Sequence, residues 1–275
     1  MQPHVGHAVA MRWLVWFAIA LVLVLATTRG KAAPQQPPAP PRAFRLMTYN
    51  LEFDNPDPAA TIDAIANADP DVAIFQEVTA AWRDALVDRL GARYPHRAFH
   101  IHRRAGGLAV LSKLPLAGDA LLPAVDLYPA QRFTVTAAFG PVQILNVHLR
   151  PPIERGSWVR GYLSTPPIRR REIEAHYQAL ATDVPTVIAG DFNEGPAGSA
   201  VAFVANQGLT RATTLGPTTW RYEATAIGRK LDVLRLDIDH VLLGRGVVAH
   251  DARVLDAGTS DHRPVVVTIA PRPAS

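Results

Sequence analysis

At six places along the chain, side chains able to do chemistry stand where an apolar run stops or is interrupted. Asn50 and Glu52 close "FRLMTYNLE", and Glu77 closes "DVAIFQE". Asn146 and His148 lie inside "VQILNVHL", and Asp191 and Asn193 follow the apolar start of "PTVIAGDFNEGP". "RLDIDHVL" carries Asp237, Asp239 and His240, and "GTSDHRPVVV" sets Asp261 and His262 just before a last apolar run. Taken singly these are ordinary turn and cap residues. Taken together they are costly, because a polar group inside an apolar run costs about 1–3 kcal/mol unless it is paired. One convergent site would pair them all.

Carboxylates and amides are hard oxygen ligands, suited to Mg²⁺, Mn²⁺ or Ca²⁺, with Mg²⁺ expected and Mn²⁺ able to take its place. The chain has no cysteine, which excludes disulfides, thiolate nucleophiles and cysteine-held zinc. Glu77, with Asn50 or Glu52, offers a ligand set for a cation that keeps several waters. Asp191 is then free to act as general base toward water, with Asn193 orienting the reacting group. His262 or His148 would donate hydrogen bonds, and Asp239 or Asp261 would hold the imidazole charged and aligned. This is equipment for metal-assisted attack of water on a phosphodiester. The chain holds no Gly-x-x-x-x-Gly-Lys-Ser/Thr loop, no Gly-x-Gly-x-x-Gly after a strand and no Gly-x-Ser-x-Gly elbow, so no nucleotide cofactor is expected.

Rigid strand ends must hold such groups. Apolar runs predict strands over 44–50, 71–76, 98–102, 107–112, 132–139, 142–149, 185–190, 237–243, 247–255 and 264–270. Three- and four-residue apolar spacing predicts helices over 58–67, 79–91, 168–181 and 198–206. The class is α/β, and strands as close as those flanking Gly140-Pro141 must pair antiparallel. Residues 150–167 show no period and read as a long loop. Trp220, in "PTTWRYE", reads as core packing.

Ahead of this domain, "WLVWFAIALVLVLA" spans residues 13–26, fourteen apolar residues against the roughly 20 a membrane span needs. Residues 1–32 are therefore expected to be an export signal, or a short membrane anchor through residues 13–28. The Pro-rich stretch 33–42 is an extended linker, and the folded domain occupies 43–275. The domain is accordingly expected outside the cytoplasm, periplasmic or extracellular. Residues 1–33 carry three of the 28 basic residues and none of the 24 acidic ones, so the remainder is nearly neutral despite a pI of about 9.7. Arg150, Arg155, Arg160 and Arg169-Arg170-Arg171 are candidates for a local basic groove. A monomer is expected.

The segments "TYNLE", "FQEV", "GLAVLSK", "LNVHL", "AGDFNEGP", "LDIDHVL" and "SDHRP", in this order, resemble the signature set of the endonuclease/exonuclease/phosphatase superfamily. That group includes exonuclease III-like abasic-site endonucleases, pancreatic deoxyribonuclease, neutral sphingomyelinases and inositol-polyphosphate 5-phosphatases. The resemblance spans residues 44–270 and implies a four-layer α/β/β/α sandwich of two mixed, mainly antiparallel sheets. It implies that Asn50 and Glu77 form the metal site, with Glu77 the principal ligand and Glu52 a second acid. Asp191 activates the nucleophile, Asn193 orients it and His148 contacts the phosphate. Asp261 and His262 form the terminal pair, with Asp239 supporting His262 and Asp261 also beside the metal. Arg150, Asn193 and His148 would contact substrate.

The implied activity is Mg²⁺-dependent phosphodiester hydrolysis, with nucleic acid as the first substrate class. A phospholipid or sphingomyelin phosphodiesterase and a phosphomonoesterase are the alternatives. The chain departs from abasic-site enzymes in the loop after "HLRPP" and offers no evident tyrosine for the phosphate. A non-catalytic member would have lost one of the acid or histidine positions, and none is missing.

Overall fold

A computed structural model describes residues 42–153, 156–226 and 229–273. The expected export segment over 1–32, and the Pro-rich linker apart from Arg42, lie outside the described residues. Among the described residues no helix is long and apolar enough to cross a membrane.

Two six-stranded sheets carry the domain. The first orders β13 (Val247–Val254), β14 (Val265–Pro271), β1 (Phe44–Asn50), β2 (Val72–Gln76), β4 (Leu108–Ser112) and β3 (His96–His100). The second orders β5 (Leu116–Leu122), β6 (Ala130–Ala137), β7 (Gly140–His148), β8 (Thr186–Asp191), β12 (Asp239–Leu243) and β9 (Thr210–Arg211). Each sheet holds one parallel pair, β1 with β2 and β7 with β8, and every other pairing is antiparallel.

The layering follows from the two-residue alternation of side chains along a strand. In β1 and β2, Phe44, Leu46, Val72 and Ile74 point inward and meet Phe133, Val135, Val142, Ile144, Val187 and Val241 of the second sheet. The residues between them, Met47, Tyr49, Ala73 and Phe75, point outward. There they meet Ile62 and Ile65 of α1 (Pro58–Ala68) and Trp82, Leu86 and Leu90 of α2 (Ala80–Leu90). Leu145, Val147, Ile188 and Leu242 likewise face outward onto Ile173 of α4 (Pro166–Gln178) and Ala200, Val201 and Val204 of α5 (Ser199–Asn206). The result is the expected α/β/β/α sandwich. Strands covered on both faces read as unbroken apolar runs, which is why they were visible in the sequence.

Asn146 does not reach a strand end. Its Oδ1 accepts from Gln76 Nε2 at 2.7 Å and its amide donates to Phe75 O, so it joins the two sheets through their shared core.

The segment 150–167 is corrected by the structure, since it contains α3 (Trp158–Ser164) and the first two residues of α4. Ser157 caps α3 by accepting from Arg160 N, and Pro166 and Pro167 occupy the N-terminal positions of α4 where a missing N–H costs nothing. Trp158, Tyr162 and Leu163 of α3 are exposed, so no buried stripe marked it as a helix. Strand β5 and the hairpin of β10 (Trp220–Ala226) and β11 (Arg229–Leu236), which stands apart from both sheets, were also missed.

His240 of β12 is buried, donates from Nε2 to Glu194 O at 2.9 Å and leaves Nδ1 without a partner among the described residues. Burial pushes its pKa down to about 4. The folded value lies below the unfolded one of about 6.5, so the stabilisation is complete above pH 6.5 and is lost as pH falls through 4. That loss amounts to about 3 kcal/mol by linkage. Urea midpoints measured from pH 7 to 4 are expected to fall less steeply in His240→Phe than in the wild type; equal slopes would remove His240 from this role.

Candidate active site

One end of the sandwich gathers the termini of six strands. β1, β2, β7 and β8 finish there at Asn50, Gln76, His148 and Asp191, and antiparallel β12 and β14 begin there just after Ile238 and His262. Register places His148 beside Asp191 and Asp191 beside Asp239 on adjacent strands. Gly190 is obligatory at this convergence: its φ is +141°, and a Cβ there would land on the carbonyl oxygen of Val147.

Asp191 is the focus. Its Oδ2 accepts from Asn50 Nδ2 at 3.1 Å and lies 3.5 Å from His148 Nε2 and 3.6 Å from His262 Nε2. Its Oδ1 accepts from the Asn193 N–H at 2.8 Å. Asn193 in turn donates from Nδ2 to Leu149 O, tying the turn after β8 to the end of β7. His262 Nδ1 bonds Asp239 Oδ2 at 2.9 Å, and His148 Nδ1 bonds Ala105 O at 3.0 Å. Glu52, Glu77 and Asn193 all adopt positive φ, at 59°, 63° and 53°, the kind of backbone strain that clusters at functional sites.

The electrostatics separate the roles. Burial pushes the Asp191 carboxyl up to about 6 against the pull of the His262 charge. Burial alone would depress His262, but the charges of Asp239 and Asp191 and the Asp239 hydrogen bond outweigh it and hold the imidazolium well above its usual range. Burial lowers His148, which favours the neutral ring. Burial, then the Asp261 charge, raises Glu52 to about 7, and burial raises Glu77.

Two groupings of acids fit a cation unequally. Asp191, Asp239 and His262 bring one ligand atom each within 4.8 Å of one another. The carboxylates of Asp239 and Asp191 raise the His262 pKa, and Asp239 Oδ2 already engages its Nδ1 at 2.9 Å, which favours an imidazolium clamped between carboxylates over a ligand. Glu52, Glu77 and Asp261 repel one another, and among the described residues none of them has a Lys or Arg ion-pair partner. A hard divalent cation would relieve that repulsion, so these residues fit one. Asn50 donates its amide to Glu77 and Asp191 while its Oδ1 accepts from Glu52 N. Ligation by Asn50 would require that Oδ1 instead. A cleft of about 320 Å³ opens over Glu52 and Asp261 between Arg221, Tyr222 and Ser260. A larger cavity of about 500 Å³, lined by Thr186 and Arg245, lies at the opposite ends of β8 and β12, away from these groups.

The structure adds neighbours that spacing did not show. Tyr128 stacks on His148 with ring centroids 4.5 Å apart, and its hydroxyl is pushed up to about 12 by burial and by the Glu77 and Asp191 charges. The sequence did not single it out, since a lone Tyr-Pro in a loop carries no periodic signal. Trp220 is buried as expected but also donates from Nε1 to Asp261 Oδ2 at 2.8 Å.

The arginines divide. Arg150 pairs with Asp126 at 2.7 Å, and Arg170 lies over the Phe203 ring. Arg169 is corrected: it is no surface cation but 2% exposed, donating from Nε to Glu194 Oε2 at 3.0 Å and from Nη1 to Arg150 O and Thr165 Oγ1. Glu172, one turn on, accepts from Arg150 N. Buried charges on α4 therefore brace the chain just beyond His148 and just beyond Asn193.

The sequence profile of the Endonuclease/Exonuclease/phosphatase family matches residues 47–262. The chain belongs to this family. Its members are generally metal-dependent phosphoester hydrolases. The fold is shared with an endonuclease/exonuclease/phosphatase from Beutenbergia cavernae, at 19% identity and TM-score 0.63 over 84% of this chain and 72% of that one. Sphingomyelinase C from Streptomyces griseocarneus aligns at 18% identity and TM-score 0.62 over 82% of this chain and 99% of that one. D. rerio TDP2 complexed with single strand DNA product aligns at 15% identity and TM-score 0.64 over 83% and 99%. No curated protein compared with the chain matches it.

Proposed function

We propose that this family member is a Mg²⁺- or Mn²⁺-dependent phosphodiesterase that uses water as its nucleophile, exported or anchored so that it acts outside the cytoplasm. The observation that carries the reading is the convergence of Asn50, His148 and His262 on one oxygen of Asp191 within 3.1–3.6 Å. Glu77, with Glu52 and Asp261, would hold the cation, which when bound supplies charge neutralisation at the phosphate.

The chain's own residues do the rest. Asp191, poised near neutrality, takes the proton of the attacking water while the phosphorus–oxygen ester bond opposite breaks. Asn193, fixed by Leu149 O, aligns the water. The His262 imidazolium, held by Asp239, donates to a phosphate oxygen as charge builds, while neutral His148, stacked by Tyr128 and donating from Nδ1 to Ala105 O, turns an acceptor Nε2 toward the site. Neighbours sharing the fold include a protein seen with a DNA product and a sphingomyelinase, so both nucleic acid and phospholipid headgroups stand as substrates. A phosphomonoester dianion needs further cations, and Arg150 and Arg169 are already engaged in ion pairs.

The protein is expected to hydrolyse bis-nitrophenyl phosphate with Mg²⁺ or Mn²⁺ and to stop on addition of chelator. Glu77→Gln should raise the half-saturating metal concentration at least about tenfold. Absence of turnover with either ion rejects the reading; an unchanged metal titration in the variant rejects Glu77 as ligand.

A further inference from the structure

The hairpin β10–β11 belongs to neither sheet, and its register sets Trp220 opposite Leu236 and Tyr222 opposite Leu234. Opposed residues and alternate residues along a strand share a face, so these four form one apolar stripe. The stripe begins in the site, where Trp220 holds Asp261, and runs outward from Trp220 at 5% exposure to Tyr222 at 54% and Leu234 at 41%. Helix α3 widens it. Trp158 packs on Trp220 with ring centroids 5.6 Å apart, and Tyr162 and Leu163 are 65% and 75% exposed. Single exposed apolar residues are normal on any surface. Trp158, Tyr162, Leu163, Tyr222, Val233 and Leu234, all exposed on two adjoining elements at one mouth, form a patch of the kind that marks an interaction surface. A two-stranded hairpin is also marginal in water without cover.

Charge indicates what covers it. Among the described side chains of the two segments that build this rim, Arg150, itself paired with Asp126, Arg160, Arg221 and Arg235 stand against one acid, Glu223, whereas the sequence of residues 34–275 as a whole is nearly balanced. The rim is thus apolar and cationic at once, and it borders a site built for a phosphodiester. We infer that α3 and β10–β11 form a docking surface for a phospholipid bilayer, which presents headgroup phosphodiesters to Asp191 directly from the membrane plane. Phosphodiesters lie in a layer immediately above hydrocarbon only at such an interface, where Trp and Tyr rings also prefer to sit. Basic residues there gain from anionic lipid. A nucleic-acid strand would satisfy the rings and the cations but leave Leu163, Val233 and Leu234 with nothing apolar to bury against. This inference rests on the phosphodiesterase reading and names its substrate class.

The test uses the full chain, comparing wild type with Tyr162→Ser/Leu163→Ser, both exposed and outside the site. With vesicles of phosphatidylcholine, sphingomyelin and phosphatidylglycerol, the variant is expected to release headgroup at least tenfold more slowly while bis-nitrophenyl phosphate turnover stays unchanged. Vesicle turnover equal to wild type overturns the docking surface. Loss of bis-nitrophenyl phosphate turnover in the wild type overturns the parent reading instead. A binding measurement separates the two. Bromine-labelled phosphatidylcholine should quench Trp158 fluorescence, read as the difference between wild type and Trp158→Phe, since Trp13 and Trp16 of the apolar N-terminal run are common to both. Quenching of Trp158 by a single-stranded oligonucleotide and not by brominated lipid assigns the rim to nucleic acid and overturns the inference.

Discussion

Asp191→Asn is expected to lower bis-nitrophenyl phosphate turnover by about three orders of magnitude, within the 10²–10⁴ range that a positioned general base contributes. The substitution keeps the shape of the side chain and an oxygen to accept the Asn193 N–H, but removes the acceptor for the water proton. The fold should survive it. A carboxyl whose pKa is raised by burial is held at a cost, and a neutral amide is relieved of that cost. Circular dichroism and the melting temperature should therefore stay close to wild type while kcat collapses and KM changes little. Turnover within tenfold of wild type would remove Asp191 from the chemistry. A simultaneous loss of the folded signal would instead mark it as structural.

Arg169→Met is expected to show the largest stability effect. It would leave Glu194 buried beside a missing guanidinium, and breaking a buried pair from one side costs about 3–5 kcal/mol. For a domain of this size that is a fall in melting temperature on the order of 10 °C. Adding Glu194→Gln keeps an oxygen for the Ala200 and Val201 N–H groups and removes the orphaned charge, so the double variant should recover part of the loss. A double variant less stable than Arg169→Met would show that packing, and not the charge pair, sets the cost. Turnover should fall as well in Arg169→Met, because this guanidinium ties the chain after His148 to the chain after Asn193.

The residues that converge on Asp191 were legible one by one. Asn50, Glu77, His148, Asp191 and Asp239 each end, follow or begin an apolar run covered on both faces, and a strand that ends against solvent announces its last residue. The helices over 58–68 and 80–90 were equally visible, because each sets one apolar stripe on a sheet. Helix α3 was not, since its large side chains face outward and leave no buried period. Tyr128 and Trp220 entered the site from loops and a hairpin whose placement depends on contacts distant in sequence.

By itself the sequence determined which side chains are available, that they are oxygen and imidazole donors with no thiolate among them, and that strand ends hold them. Only the tertiary structure decided how they divide the work. It set His262 between two carboxylates that raise its pKa, left Glu52, Glu77 and Asp261 in mutual repulsion, and turned the arginine run at 169–171 partly inward as a brace. The physical reason is that protonation and pairing depend on burial and on charges a few ångströms away in space. Those neighbours, such as Asp239 for His262 or Glu194 for Arg169, lie 23 and 25 residues away along the chain, at separations no local pattern encodes.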